Sequence, residues 1–261
     1  MASRLLKSSL RRLQDLKVNG RRPSIPDGVR IYAVGDVHGR LDLLDKLLLR
    51  IDADIVSRPT LRPVYVFLGD YIDRGPSSRE TIDRLVEHGQ KHESVFLKGN
   101  HELIAIKCLS DRTLFDQWLR LGGLLTLASY GVSTDIGAAG KQIAQLQAAF
   151  HSALPQAHLR FFRDLRISFA CGDFFFAHAG VKPAINLSRQ KESDLLWIRD
   201  EFLTSTDDFG KIIVHGHTPA SEVEIRPNRI NIDTGAFVSG RLTCLVIDGK
   251  SLSVIDTSLE S

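Results

Sequence analysis

The sequence VRIYAVGDVHG at residues 29–39 joins a short apolar run to a polar turn, and leucines at helical spacing follow it. The same arrangement recurs in VYVFLGDYIDRG at residues 64–75 and in VFLKGNHE at residues 95–102. Short apolar strands that alternate with helices are typical of an α/β fold. In such folds, ligands collect at the carboxyl ends of the strands, where these turns lie. The first hundred residues therefore predict both a fold class and the position of a site.

The sequence predicts a short leader, one domain and a helical insertion within that domain. Proline and glycine between residues 22 and 28 predict the end of a basic leader, 1–28, and the start of one domain, 29–261. Residues 103–165 have a helical pattern with glycine and proline breaks, which predicts a helical insertion beside a cleft. Later apolar runs again end in polar turns, at residues 178–180, 215–218 and 233–235.

Composition excludes several classes of protein. The chain has 261 residues, of which 43% are hydrophobic and 25% charged, the balance of a globular protein rather than a disordered one. No run approaches the roughly 20 apolar residues of a membrane-spanning helix. Its three cysteines are widely spaced, which predicts reduced thiols rather than disulfides. Together with the lack of a secretory signal pattern, this favours a cytoplasmic location.

The positive charge belongs to the leader. Residues 1–22 carry a net charge of +6, whereas residues 23–261 carry −3. A nucleic-acid-binding domain is therefore not expected. Leucines between residues 3 and 18 lie at roughly helical spacing among the basic residues. Two interpretations stay open: a solvated leader, or an amphipathic helix that makes weak contact with a membrane surface or a partner.

Polar side chains recur directly after the predicted strands. They are Asp36, His38, Asp70, Asp73, Arg74, Asn100, His101, His178, His215 and His217. Carboxylates, imidazoles and one amide, with no thiolate, suit divalent transition metals. Asp36 and His38 lie two residues apart and fit one ion, while Asn100, His178 and His217 fit a second. Asp70 has two carboxylate oxygens and can bridge the pair.

Five motifs carry a family resemblance: GDVHG (35–39), GDYIDRG (69–75), GNHE (99–102), HAG (178–180) and HGHT (215–218). In this order they resemble the phosphoprotein phosphatase family of the metallophosphoesterases, and most closely its bacterial and lambda-phage members. The resemblance implies a sandwich of two mixed β-sheets flanked by helices, with the insertion at about 103–165. It also implies two divalent metal ions; Mn²⁺ is expected, and Fe, Zn or Co would suit the same ligands.

The resemblance assigns roles to individual residues. Asp36, His38 and Asp70 hold one metal, and Asp70, Asn100, His178 and His217 hold the other. His101 is the general acid, Asp73 orients it, and Arg74 and Arg199 bind the phosphate oxygens. The implied reaction is in-line attack on phosphorus by a hydroxide that bridges the two metals, with His101 protonating the leaving oxygen.

The same motifs predict a protein serine/threonine phosphatase acting on phosphoproteins or phosphopeptides. Pro219 stands where many other metallophosphoesterases have a second histidine. Asp73 and Glu102 differ from the corresponding residues of symmetric dinucleoside-tetraphosphate hydrolases. That activity, hydrolysis of another small phosphate ester, phosphotyrosine specificity and a non-catalytic binding role remain as alternatives.

Other residues are expected to be structural. His215 should lie at a strand end or behind the metal ligands, and Trp197 should belong to the core. Asn231 and Asp233, in the turn after a late strand, are expected to be structural rather than catalytic. The histidines outside the motifs are expected to be solvated; they are His88, His92, His151 and His158.

Overall fold

The computed structural model describes residue 13 and residues 16–133 and 141–258. The strands are β1 (Val29–Val34), β2 (Arg62–Phe67), β3 (Ser94–Phe96), β4 (Ser168–Cys171), β5 (Phe174–Ala177), β6 (Ile212–His215), β7 (Glu224–Arg226), β8 (Arg229–Asn231), β9 (Thr243–Asp248) and β10 (Ser251–Asp256). The helices are α1 (Leu41–Ser57), α2 (Ser78–Lys91), α3 (Asn100–Lys107), α4 (Arg112–Trp118), α5 (Leu124–Ser129), α6 (Lys141–Ala153), α7 (Gln156–Asp164), α8 (Glu192–Trp197), α9 (Asp200–Leu203) and α10 (Ala236–Ser239).

The strands form two mixed sheets of five strands each. The first has the order β10-β9-β1-β2-β3, with β1, β2 and β3 parallel and β9 and β10 antiparallel. The second has the order β4-β5-β6-β8-β7, with a parallel centre and antiparallel edges. The prediction of two mixed sheets flanked by helices is confirmed. Val34 pairs with Phe67, and Phe67 with Phe96, so the turns after these three strands begin at one level.

Apolar side chains fill two layers. Ile31, Val66, Phe174 and Val214 belong to one buried cluster that joins strands of both sheets. The other large cluster joins the first sheet to α1, α2 and the helical segment. Burial on both faces explains why the central strands read as continuous apolar runs in the sequence.

The predicted insertion is helical. Helices α3 to α7 fall within residues 100–164, with a π-helical turn at Leu119–Gly123 between α4 and α5. Phe115, Trp118 and Phe150 pack together inside it and belong to the same buried cluster as α1 and α2. The insertion therefore shares its core with the main domain.

The leader is described only in part. Residues 1–12, 14 and 15, on which the amphipathic-helix prediction mostly rests, lie outside the described residues. Leu16 and Val18 are buried in the cluster between the sheets, and Arg21 pairs with Asp173 at 2.6 Å. No helix within the described ranges is both long enough and apolar enough to span a bilayer.

Candidate metal centre and active site

The polar turns after the strands meet at one edge of the two sheets, and their backbone is unusual. Positive φ values between 46° and 69° occur at His38, Asp70, Asp73, Arg74 and His217. Residues other than glycine rarely adopt this conformation, and such strained positions cluster at functional sites. The strain redirects these side chains towards a common centre.

Asp70 lies at that centre. One of its carboxylate oxygens, Oδ2, is 3.5 Å from His38 Nε2, and the other, Oδ1, is 3.4 Å from His178 Nε2. The potential ligand atoms form two compact groups that share Asp70: one with His38 and His101, and one with His178 and His217. The structure therefore brings together a bridging carboxylate and histidines on both of its sides.

Hydrogen bonds fix the orientation of two histidines. His38 Nδ1–H donates to the carbonyl of Ile72 and His178 Nδ1–H to that of Leu68, both at 2.9 Å. Each ring therefore presents the Nε2 lone pair to the centre, as metal-binding histidines commonly do. Burial lowers the pKa of His38 to about 3, which keeps this imidazole neutral.

The atoms at the centre fit a cation. His178 Nε2 lies 2.9 Å from Asn100 Oδ1, so two acceptors face each other close to the Asp70 carboxylate. His217 Nδ1 lies 3.1 Å from the same His178 Nε2, and Asp36 Oδ1 is buried with no hydrogen-bond partner among the described residues. Burial without a partner is costly for polar atoms. Divalent ions bound between these atoms would satisfy them, so the residues present fit the two metals that the motifs imply.

Two glycines permit the close approach of the carboxylates. A Cβ atom at Gly99 would lie 2.1 Å from Asp70 Oδ1, and one at Gly216 would lie 2.1 Å from Asp36 Oδ1. Neither position can hold a side chain without displacing a proposed ligand. The glycines of GNHE and HGHT are therefore explained by packing against the site.

His101 and Asp73 form a buried dyad. His101 Nδ1 is 2.6 Å from Asp73 Oδ2, and both side chains are almost fully buried. Burial acts to lower the pKa of His101, but the Asp70 carboxylate and the hydrogen bond to Asp73 raise it to about 9. The imidazolium can therefore act as a proton donor in this structure.

The helical insertion supplies further hydrogen bonds to the dyad. Trp118 Nε1–H donates to Asp73 Oδ2 at 2.8 Å, and Thr126 Oγ1 donates to Asp73 Oδ1 at 2.6 Å. Sequence reasoning missed both residues. They lie 45 and 53 positions beyond Asp73, and no local pattern marks them.

Two arginines border the centre. Arg74 Nη2 is 3.2 Å from His101 Nε2, and its guanidinium lies 4.7 Å from the centre of the Phe237 ring. When His101 is protonated, both groups direct N–H bonds into the same space, which favours an anion there. Arg199 Nη1 donates to Thr218 Oγ1 at 3.3 Å, directly after His217 in the chain. The arginines thus border the two metal groups, as a phosphate-binding role requires.

Glu102 has a role that the sequence did not reveal. Its buried carboxylate accepts backbone N–H bonds from Asp70, Tyr71, Ile72 and Gly99, at distances between 2.7 and 3.3 Å. It therefore fixes the turn that carries the bridging Asp70. Sequence reasoning used this residue only to compare families.

Several expectations about other residues need correction or comment. Trp197 was expected in the core but is 41% exposed, because α8 ends there after burying Leu195 and Leu196. His88 and His158 were expected to be solvated but are buried. His215 lies at the end of β6 with its ring against Phe202.

Asn231, the last residue of β8, and Asp233, in the turn that follows, both lie near the centre. Asn231 Nδ2 donates to the carbonyl of Thr218 at 2.8 Å, which fixes the backbone beside His217. Asp233 is buried beside Asp36 and accepts from Gly235 N–H at 2.9 Å. Asn231 thus has the structural role expected of it, and Asp233 holds its own turn next to a proposed metal ligand.

Comparison with known proteins agrees with this architecture. The family model of calcineurin-like phosphoesterases matches residues 29–237. Among curated proteins, the asymmetrical bis(5'-nucleosyl)-tetraphosphatase PrpE of Anoxybacillus flavithermus is 29% identical over 234 residues, covering 81% of this chain and 88% of that protein. Serine/threonine-protein phosphatase 2 of Escherichia coli is 28% identical over 222 residues, covering 82% and 90%. A cold-active protein-tyrosine phosphatase of a Shewanella species shares the fold, with a TM-score of 0.53, 14% identity and coverage of 90% and 83%.

The chain belongs to the calcineurin-like phosphoesterase family. Hydrolysis of phosphoesters with bound divalent metal is the chemistry of this family. The buried His and Asp groups around Asp70 are the part of this chain that provides for the metal.

Proposed function

We propose that this protein is a metal-dependent hydrolase of dinucleoside tetraphosphates. The observation that carries the proposal is the cluster of buried histidines around Asp70, together with the hydrogen bond between His101 and Asp73 and the two nearby arginines. This arrangement suits a polyphosphate, because Arg74 lies beside His101, Arg199 lies beside Thr218, and both provide positive charge near the ligand cluster. Relatives named asymmetrical bis(5'-nucleosyl)-tetraphosphatases, 24–29% identical over more than four fifths of this chain, support this substrate class.

This proposal revises the preference drawn from the sequence. Asp73 and Glu102 argued against symmetric dinucleoside-tetraphosphate hydrolases, and the protein phosphatases were preferred for that reason. The relatives reported above are named as asymmetrical enzymes instead. The two motif residues therefore do not exclude the substrate class now proposed.

The side chains have separate tasks in this reaction. One divalent ion would be held by Asp36, His38 and Asp70, and a second by Asp70, Asn100, His178 and His217; when bound, such ions would supply Lewis acidity and activate a water molecule. Arg74 and Arg199 bind and orient the phosphate oxygens. Water attacks phosphorus, one phosphoanhydride bond of the tetraphosphate breaks, and His101 Nε2 can donate a proton to the phosphate oxygen that leaves, while the hydrogen bond to Asp73 orients the imidazole. Mn²⁺ is the ion we expect to activate the enzyme.

A protein serine/threonine phosphatase is the second candidate. Similarity to the Escherichia coli serine/threonine-protein phosphatase 2, over 82% of this chain, favours it. The dyad is also suited to an alkoxide leaving group, because serine and threonine oxygens leave poorly until they are protonated. In this case the substrate would be a phosphoprotein or phosphopeptide.

Parallel turnover separates the candidates. With added Mn²⁺, kcat/KM is measured for diadenosine tetraphosphate, a phosphoserine/phosphothreonine peptide and a phosphotyrosine peptide. The proposal predicts the highest kcat/KM for the dinucleotide, with the products identified by chromatography. A higher value for either phosphopeptide would overturn it. Asp70→Asn serves as the control for contaminating phosphatases, because it removes the bridging charge at nearly unchanged size.

A further inference from the structure

Trp197 is a large aromatic side chain left in contact with water beside the candidate metal centre. Its side chain is 41% exposed, whereas Trp118, the other tryptophan of the chain, is fully buried. Its ring lies 6.3 Å from the ring of His217, with the two planes at 81°. An exposed indole gives up much of the stabilisation that burial would provide. Part of the indole therefore faces solvent beside the proposed ligand His217.

The backbone holds this indole in place. Leu195 and Leu196 anchor α8 in the core, and the carbonyl of Leu195 accepts a hydrogen bond of 2.8 Å from Ala179 N–H. Ala179 follows the proposed ligand His178 directly. The end of α8 is therefore tied to the segment that carries this ligand, and Trp197 has a fixed position relative to the centre.

Phosphate-binding groups lie on the same side. Arg199 is two residues beyond Trp197, and its guanidinium donates to Thr218, next to His217. A bound nucleotide carries its phosphates and its base on one ribose, so it needs a cationic group and an aromatic face a short distance apart. Both are present here: Arg199 and the metal centre beside His217 would bind phosphates, and Trp197 provides the aromatic face.

Phe237 borders the other group of ligands, but its ring packs against an arginine of the protein. Its ring lies 5.3 Å from that of His38, and the Arg74 guanidinium stacks 4.7 Å from its centre. That ring already has a cation on it. Phe237 is also less exposed than Trp197, so of these two rings Trp197 offers the larger open surface to a ligand.

We infer that Trp197 is a specificity-determining residue: its exposed indole stacks on one nucleobase of the substrate, while Arg199 and the metal centre hold the adjacent phosphates. This inference rests on the proposed dinucleoside tetraphosphatase function and adds the recognition of a base to it. Aromatic side chains stack on any base, so the residue selects nucleotides over phosphopeptides without strong preference among the bases.

Kinetics with three variants test the inference. The KM for diadenosine tetraphosphate and the Ki of inorganic tripolyphosphate, which has no base, are measured in each. Trp197→Ala is expected to raise the KM by roughly ten-fold, the loss typical of one base–aromatic stack, and to leave the Ki unchanged. Trp197→Phe should restore most of the affinity. Ile185→Ala is the matched control, because Ile185 is equally exposed, at 42%, in an outer groove that includes no proposed metal ligand.

Fluorescence gives a second readout that does not depend on turnover. A methylene-bridged analogue of diadenosine tetraphosphate should quench the emission of the wild type, and tripolyphosphate should not. Trp197→Phe should abolish the quenching, because Trp118 is buried away from solvent.

The outcomes distinguish this inference from the proposed function. If the wild type hydrolyses the dinucleotide but Trp197→Ala leaves its KM unchanged, the inference is wrong and the proposed function stands. If Trp197→Ala weakens phosphopeptide turnover more than dinucleotide turnover, the indole serves a peptide and the inference is wrong. If the wild type does not hydrolyse the dinucleotide, both are wrong.

Discussion

The indole of Trp118 donates a hydrogen bond of 2.8 Å to the carboxylate of Asp73. This contact joins the helical insertion to the dyad that positions the proton of His101. The same carboxylate oxygen is 2.6 Å from His101 Nδ1, so one atom links a helix of the insertion with the candidate general acid. The insertion therefore supplies a residue that helps to position the dyad.

Trp118→Phe tests this link. The substitution keeps an aromatic ring in the cluster with Phe115 and Phe150 but removes the N–H group. Loss of a hydrogen bond to a charged group is expected to lower kcat by roughly 10- to 100-fold with little change in KM. Steady-state kinetics measure it. Phe115→Leu, which alters the same cluster without touching the dyad, should leave kcat within about two-fold, and an equal loss in both variants would contradict the link.

His101→Asn tests the proton donor by its dependence on the leaving group. General acid catalysis contributes typically about 10²–10⁴-fold, and mostly where the leaving oxygen is basic. The variant should therefore lose much more activity towards phenyl phosphate than towards p-nitrophenyl phosphate, whose leaving group needs little protonation. The kcat ratio of the two esters is the measurement. An equal loss on both esters would show that His101 does not donate the proton.

Glu102→Gln tests the support of the bridging turn. The carboxylate accepts four backbone N–H bonds from the segment around Asp70, and an amide oxygen and nitrogen cannot accept all four. We expect a metal affinity about 10- to 100-fold lower, as for other residues that orient ligands, together with a lower melting temperature. Calorimetric titration with Mn²⁺ measures the affinity. Unchanged Mn²⁺ affinity would contradict the role, and the exposed Glu87→Gln is the control.

Burial of His88 should make the stability of the protein depend on pH, independently of the metal centre. Burial against Tyr65 and Phe67, with His92 stacked beside it, lowers its pKa to about 4 in the folded state. In the unfolded chain the pKa of the His88 side chain is near 6.5, so the unfolded state binds the proton first as the pH falls. The free energy of unfolding therefore decreases between about pH 6.5 and 4. The metal-free protein should lose roughly 2 kcal/mol more between pH 7.5 and 5 than His88→Phe does. Urea unfolding at the two pH values measures this difference, and identical losses would contradict it.

Local sequence patterns predicted the α/β class and the site residues that directly follow a strand. Gly-Asp and Gly-Asn turns after apolar runs located Asp36, Asp70 and Asn100, because a strand end places the next side chains at the sheet edge. The alternation of strands and helices predicted the α/β class for the same reason. The pairing of two mixed sheets came from the family resemblance rather than from the periodicity.

Contacts between distant segments were not predictable from such patterns. Trp118 reaches Asp73 only because the insertion folds over the dyad. His158 was expected to be solvated, yet it is buried between the hydroxyl of Tyr130 and the carboxylate of Asp83. Trp197 was expected in the core, and only the structure shows that it meets water at the end of α8. These outcomes depend on how elements pack, which a single sequence encodes only indirectly.

The number of divalent ions bound per chain tests the central claim, two metal sites that share Asp70. Equilibrium dialysis with Mn²⁺ followed by elemental analysis gives this number for the wild type and for Asp70→Asn. The account predicts two ions per wild-type chain, fewer than two in the variant, and loss of phosphoester hydrolysis with them. One ion or none in the wild type, or two ions and full turnover in Asp70→Asn, would contradict it.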